Sequence, residues 1–398
     1  MIGARPAEAA VVEARPATAR PRVRFWLRLA LFTLPFALGF VVFSGGLIYT
    51  GESMPLAEVV RLQMGDAPVL YRPRFGARDL TFKTLATNMR RPEIVAVGSS
   101  HVLQMRSLFF DRRARAFYNA GAPAWLLDQV EQYLHGLAPD AAPRILIFGL
   151  DDPWFNDAYV GDALTPDAND FETIFAVNRS VLQTVIGGES IDVGRMLARR
   201  EPAHGGLALG LRAIRDGHGF RNDGSEQYGD FLVAHFLWPQ NERQRHLDLL
   251  RDGKDMYVRG DTVSTRAMAQ LERILAYCKE RGILVVGFSP PFMPTLYQRL
   301  EADGQHTYVD KLIPSLNALF ARYGDRYFDF SDGAQLGATD DDFFDGWHAS
   351  ERIYLRLYMR MLEQMPARLG PYSDMAYLQK ADAGAKDTFD VFGNRVVP

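Results

Sequence analysis

The sequence predicts an α/β protein built on a doubly wound parallel sheet and preceded by one membrane-spanning helix. Three observations carry this. Short apolar runs recur at 94–97, 116–121, 144–151, 283–289 and 327–330, β-branched in the first, third and fourth and aromatic in the others, the pattern of core strands of a parallel sheet. Stretches with helical apolar spacing alternate with them, as a parallel sheet requires. Residues 29–49 carry no charged side chain, and a run of that length crosses a bilayer core.

Composition sets the frame. The 398-residue chain is 47% hydrophobic and 23% charged, with a formal net charge of -3. It can bury a large core, and it has no basic excess with which to hold a polyanion, so nucleic acid is not an expected partner. The lone cysteine, Cys278, excludes an internal disulfide and a Cys-based zinc site, and its amphipathic helical setting reads as core.

Residues 1–28, rich in Arg, Ala and Pro, predict a disordered basic leader. Arg20, Arg22, Arg24 and Arg28 before the apolar run predict a cytoplasmic N-terminus, which places everything after residue 51 outside. A cleaved signal peptide is the rival reading. The charged leader is long for one, the apolar run exceeds an ordinary h-region, and no small-x-small cleavage site ends it.

Residues 50–92 read as a stalk and lead-in with short helices over 55–64 and 79–89. The first core strand ends in Gly98-Ser99-Ser100-His101, and a helix is expected over 102–112 with its N-terminus favouring developing negative charge. Next come the strand over 116–121 and a helix over 123–137, where Leu126, Leu127, Val130, Tyr133 and Leu134 form an apolar stripe. The third strand ends in Asp151 and Asp152. Regularity then lapses, and about 153–264 reads as an insertion or cap over the strand ends. Alternation resumes with a helix over 265–281, the fourth strand, a helix over 308–323, the fifth strand, a loop over 340–347 and a last core helix over 349–365. The tail over 371–398 lacks periodicity, and the chain shows no internal repeats.

The chemistry-bearing residues sit at strand ends. Ser100 follows a predicted core strand at the edge where open α/β sheets bind ligands. A serine hydroxyl is a weak nucleophile until a base takes its proton. Asp345-x-x-His348 offers that base: an aspartate three residues before a histidine can accept its Nδ1 proton and leave Nε2 facing the serine. Taken alone, Asp345 also reads as an acid near a helix N-cap and His348 as a surface residue. His101 adjoins the serine but reads as a rim or packing residue, and Ser99 as the lesser nucleophile. Trp154, Phe155 and Trp347 flank the site, either to stack on a sugar ring or as core. The other histidines lack metal-ligand spacing, so neither metal nor cofactor is expected, and the acidic run 340–342 reads as a solvated turn. Arg195, Arg199, Arg200, Arg212, Arg215 and Arg221 in the insertion read either as a solvated face or as a binder of an anionic glycan, lipid headgroups or a partner's loop.

Gly98-Ser99-Ser100, Gly121 within 119–121, and Asp345-x-x-His348 together resemble the first, second and fifth sequence blocks of the SGNH (GDSL-like) hydrolases, in the right order and over about 93–151 and 266–365. The resemblance implies a flavodoxin-like three-layer sheet over 93–370. It makes Ser100 the nucleophile, His348 the general base and Asp345 its orienting carboxylate. Gly121, Asn119 and Asp151 become the oxyanion or substrate group, and His101, Trp347 and Trp154 face the substrate. Two positions depart from the family pattern: Ser99 stands where an aspartate is usual, and Asp151 where an asparagine is usual. An asparagine amide donates to an oxyanion, which an ionised carboxylate cannot do.

With its N-terminal anchor the chain is similar to the SGNH proteins of bacterial envelope acylation, those of teichoic acid D-alanyl transfer and alginate O-acetylation. That likeness implies a single-pass protein of the bacterial inner membrane with its catalytic domain in the periplasm. By that likeness the protein would move an acyl group, acetyl in the first instance, through a serine acyl-enzyme to hydroxyls of an envelope polysaccharide. An MBOAT-type membrane acyltransferase is the implied partner. The same residues would serve a carbohydrate esterase or deacetylase, and the fold alone a non-catalytic assembly factor.

Overall fold

In the computed structural model, residues 20–122, 126–159, 170–202, 204–229 and 238–393 are described. The chain divides into two compact units, Met1–Gly46 and Leu47–Pro398. The first is dominated by the helix Arg20–Tyr49, which has Pro35 inside it. Residues 20–28 are thus helical where disorder was expected, because the apolar run propagates a helix back into the arginines; residues 1–19 lie outside the described residues. Within that helix Val23–Tyr49, 27 residues, is long and apolar enough to cross a membrane.

Among the described residues the second unit carries nine strands: β1 Val69–Tyr71, β2 Ile94–Val97, β3 Phe117–Asn119, β4 Ile145–Gly149, β5 Leu207–Leu209, β6 Gly219–Phe220, β7 Glu226–Gln227, β8 Leu284–Ser289 and β9 Arg326–Asp329. Five of them form one sheet in the order β3-β2-β4-β8-β9, parallel at every pairing. Counted along the chain, that is the 2-1-3-4-5 order of doubly wound folds. Alternation along the strands explains the layers. Val95, Val97, Leu146, Phe148 and Val285 join one buried cluster with Val130, Tyr133, Leu271 and Leu312. Ile94, Ala96, Ile147, Val286 and Phe288 join another with Phe109, Phe110, Ile353 and Tyr358. Successive residues of a strand point to opposite faces, so central strands buried at every position, as β2 and β4 are, need covering on both sides.

Helices Leu56–Gln63, Asp79–Arg90, Leu127–His135, Thr265–Glu280, Tyr308–Tyr323 and Glu351–Gln364 stand where apolar periodicity predicts them. For the expected helix over 123–137, residues 123–125 lie outside the described residues. Three expectations are corrected. No α-helix follows β2; the chain makes short 3₁₀ turns at Ser100–Gln104 and Ser107–Phe110, so no helix dipole points at Ser100. Every residue from His101 to Phe110 is buried, a distribution that a helix with one buried face does not permit. The lead-in is no free stalk. β1 pairs in parallel with β5 and antiparallel with β6, which makes a small mixed sheet β5-β1-β6-β7 whose partner strands the insertion supplies. Glu52 fastens this corner, accepting from the backbone N–H groups of Arg74, Phe75 and Leu211 at 2.8, 2.7 and 2.7 Å. The tail, finally, forms the helix Met375–Gly384, which buries only Leu378 and holds Asp382 against Arg352 and Arg356; one apolar contact leaves little periodicity to read.

Candidate functional site

The site grows from the carboxyl ends of β2 and β4, where the strand order reverses and doubly wound sheets open a crevice. Gly98 leaves β2 at φ +152°, and a Cβ there would press on Gly149 O and Val102 Cγ1, each at 3.0 Å. Ser99 Oγ then accepts from His101 N at 3.2 Å, and the turn sets the next hydroxyl outward. Ser100 Oγ lies 2.7 Å from His348 Nε2 across 248 residues of sequence. His348 Nδ1 lies 2.7 Å from Asp345 Oδ2. The other carboxylate oxygen, Oδ1, accepts from the amides of Trp347 at 2.7 Å and His348 at 2.8 Å. That local turn is what an aspartate readily builds from its own following amides, and it fixes the ring before the next helix begins.

A buried ion pair ties the two halves together. Arg106, just beyond the Ser100 turn, donates to Glu351, which opens the helix behind His348, at 3.0 Å. Both side chains are fully buried, so neither can lose its partner cheaply.

Charge tunes the relay. Burial acts to lower the His348 pKa, but the Asp345 charge and hydrogen bond, helped by Glu226 and Asp151, outweigh it and hold the value above the usual one. Burial acts to raise the Asp345 carboxyl, and the positive His348 with its hydrogen bonds outweighs that, holding it below the usual carboxylate range. An ionised Asp345 selects the imidazole tautomer with its proton on Nδ1, which leaves Nε2 to accept from Ser100.

A second imidazole–carboxylate pair lies beside the first. His101 Nδ1 is 2.8 Å from Asp151 Oδ1 and 3.0 Å from Ser99 Oγ. Its ring stacks on Trp347 with centroids 5.0 Å apart and lies 4.9 Å from the His348 ring. His101 is therefore buried packing rather than rim. Ser99, Ser100, His101, Asp151, Trp154 and Trp347, with Tyr159 and Met256 of the insertion, line a cleft of about 20 Å³, room for roughly one water. Trp154 and Trp347 are walls of it, buried to 6% and 4% exposure, and offer no open ring face.

Two expected substrate groups are already engaged. Asn119 is fully buried; its Nδ2 donates to Val102 O at 2.8 Å and Met105 O at 2.9 Å. Its Oδ1 accepts the Gly121 N–H at 2.8 Å. Asn119 and Gly121 thus clamp the 3₁₀ turn to the end of β3 instead of presenting donors to a ligand, because a buried amide must satisfy its own bonds first. Beneath them Lys83 donates to Asn119 O at 2.9 Å and to Gly224 O, and burial pushes its pKa down to about 7. Asp152, the neighbour of Asp151, accepts from Ser289 Oγ at 2.8 Å and is pushed up to about 7 by burial.

Sequence reasoning missed the residues that the insertion sends behind the relay. Tyr257 OH accepts from Trp347 Nε1 and lies 2.7 Å from His246 Nδ1. His246 Nε2 is 3.8 Å from Asp345 Oδ2, and burial lowers its pKa against the pull of Asp345. Neither residue belongs to a local motif, so nothing in the sequence marks them. Among the described residues no cluster of His, Cys, Asp or Glu could hold a metal ion.

Fold and site together define an α/β protein with a serine–histidine–aspartate hydrogen-bonded chain at the switch point of a parallel sheet. No protein-family model and no curated protein matches the chain.

Proposed function

We propose that this chain is a membrane-anchored, extracytoplasmic serine O-acyltransferase of the SGNH hydrolase type, which acylates hydroxyls of an envelope or exported polysaccharide. The observation that carries the reading is the unbroken chain Ser100 Oγ, His348 Nε2, His348 Nδ1, Asp345 Oδ2, with 2.7 Å at both links. Ser100 Oγ attacks the donor's ester or thioester carbonyl while His348 Nε2 takes its proton. The tetrahedral intermediate collapses, and His348 returns that proton to the departing group. An acceptor hydroxyl then gives its proton to His348 and attacks the acyl-serine carbonyl; as that intermediate collapses His348 returns the proton to Ser100 Oγ, which leaves as the free hydroxyl. Asp345 stabilises the imidazolium at each stage. A cleft of about 20 Å³ suits an acetyl methyl better than a long acyl chain, and a glycan acceptor would lie across its mouth. The MBOAT-type partner and the periplasmic setting follow from the family resemblance.

A serine esterase using water as acceptor is the second reading, favoured by a cleft of single-water size. The full-length protein in detergent is treated with a fluorophosphonate probe, and the modified peptide is mapped by mass. Modification of Ser100 that is lost in Ser100→Ala and His348→Ala supports an activated serine; a folded protein that stays unmodified refutes both enzyme readings. Acyl consumption that requires added glycan separates transfer from hydrolysis.

A further inference from the structure

Large hydrophobic side chains are exposed in very few places on this molecule. Among the described residues outside the helix Arg20–Tyr49, and apart from Met64, all of them fall between residues 175 and 197. Ile186 is 76% exposed, Val193 and Leu197 62% each, Leu182 53% and Val185 46%, with Phe175 at the near end. Isolated exposed hydrophobics are ordinary, but a contiguous set confined to one segment marks an interaction surface.

The segment's own helix explains how this arises. In Asp170–Ile186, Val177 and Val181 face inward to a small cluster with Leu47 and Leu211, while Leu182, Val185 and Ile186 face out. A helix that is apolar on two faces needs an apolar environment on both. The following helix, Val193–Ala198, buries none of its residues.

Position identifies the second environment. Leu47, in the inward cluster, is the first residue of this unit and lies near the end of Val23–Tyr49, the stretch long and apolar enough to cross a membrane. Arg199, at the end of Val193–Ala198, lies over the Tyr49 ring at 3.9 Å and donates to Tyr49 O at 2.8 Å. The exposed apolar residues are therefore held beside the end of that apolar helix. A cavity of about 240 Å³ beside them is lined by Phe75, Met196 and Ile214 and by Arg74, Arg195 and Arg215, which pair there with Glu189 and Asp192. Exposed apolar side chains beside the end of an apolar helix of membrane length fit the headgroup boundary of a bilayer.

We infer that residues 170–199 form an interfacial membrane-docking surface that seats the folded unit on the bilayer by burying Leu182, Val185, Ile186, Val193 and Leu197 at the headgroup boundary. Such surfaces sink on the order of 5–10 Å into that layer. Docking would fix the height of the Ser100 cleft above the membrane. The inference rests on the anchor reading and is independent of the serine chemistry.

The test uses full-length protein reconstituted in vesicles of phosphatidylcholine, with and without phosphatidylglycerol. Single cysteines are introduced by Ile186→Cys, Leu197→Cys, Val42→Cys and Lys380→Cys and labelled with an environment-sensitive fluorophore. Native Cys278 is buried and stays unlabelled. Val42 reports the anchor, and Lys380, exposed on the helix Met375–Gly384, reports water. The expected result is blue-shifted emission at positions 186 and 197, quenching there by a shallow lipid-borne nitroxide and protection from iodide, with or without phosphatidylglycerol, since the neighbouring arginines are already paired with carboxylates. Probes at 186 and 197 that match Lys380 while Val42 reports lipid overturn the docking surface and leave the anchor standing. A Val42 probe in water overturns the anchor and the docking surface with it.

Discussion

Replacing Asp345 by asparagine isolates the electrostatic half of the relay. Asparagine has the same shape, and its Oδ1 can still accept from the amides of Trp347 and His348, at 2.7 and 2.8 Å in the native turn. The turn and the fold are expected to survive. The change falls on the 2.7 Å contact between Asp345 Oδ2 and His348 Nδ1, where an N–H donor replaces an acceptor. Two donors cannot face each other at that distance, so Nδ1 must give up its proton and become the acceptor. The proton moves to Nε2, the atom 2.7 Å from Ser100 Oγ, and the serine loses its base. The same exchange in a serine-protease relay costs about 10⁴-fold in rate, or about 5 kcal/mol of barrier. The second-order rate of fluorophosphonate modification at Ser100 reads this without knowledge of donor or acceptor. Circular dichroism and a urea midpoint verify the fold. A folded Asp345→Asn variant that is modified within about tenfold of the native rate would show that Ser100 is not activated through this chain, and the relay argument would fall with it.

Other outcomes follow from the same geometry. His348 must be neutral to act as a base and its pKa is held above the usual value, so Ser100 modification should rise with pH through a midpoint above about 6.5; a midpoint at or below that value contradicts the ion pair. The sign for stability is the reverse: the raised His348 pKa contributes stability that is complete below about 6.5 and is lost as pH climbs through the folded value. Arg106→Met strands a buried Glu351 and should cost about 3–5 kcal/mol by urea unfolding, with Arg106→Met/Glu351→Leu recovering much of it; equal losses in the single and double variants would mean that the charges are not coupled. Gly149→Ala places a Cβ 2.4 Å from Val102 Cγ1 and should destabilise by about 1–3 kcal/mol, an amount that Val102→Ala should partly offset in a double-mutant cycle. Tyr257→Phe removes the hydroxyl shared by Trp347 and His246 and should cost about 1–3 kcal/mol, read as a lower urea midpoint; an unchanged midpoint would mean that solvent satisfies both groups.

What the sequence determined by itself is whatever rests on short-range pattern. The central strands β2, β4 and β8 follow from their apolar runs, because a strand buried on both faces has almost no polar position, while the edge strands β3 and β9, with Asn119 and with Arg326 and Asp329, show that pattern only in part. The turn from Asp345 to His348 is equally local: one carboxylate reaches amides two and three residues on, whatever the rest of the chain does. The strand-end placing of Ser99 and Ser100 belongs here too. Tertiary structure decided what depends on partners distant in sequence. β1 and the two-residue strands β6 and β7 are too short to show a period, and they exist because the insertion folds back on the lead-in. The expected helix after β2 gave way to 3₁₀ turns once Arg106 was drawn to Glu351. Asn119 and Gly121 looked like substrate donors until burial made them satisfy each other, and His101, which the sequence left as either rim or packing, became packing where Asp151 and Trp347 closed around it. Spacing along a chain fixes which groups can touch locally, but only packing fixes which buried polar group takes which partner, since each has one set of bonds to give.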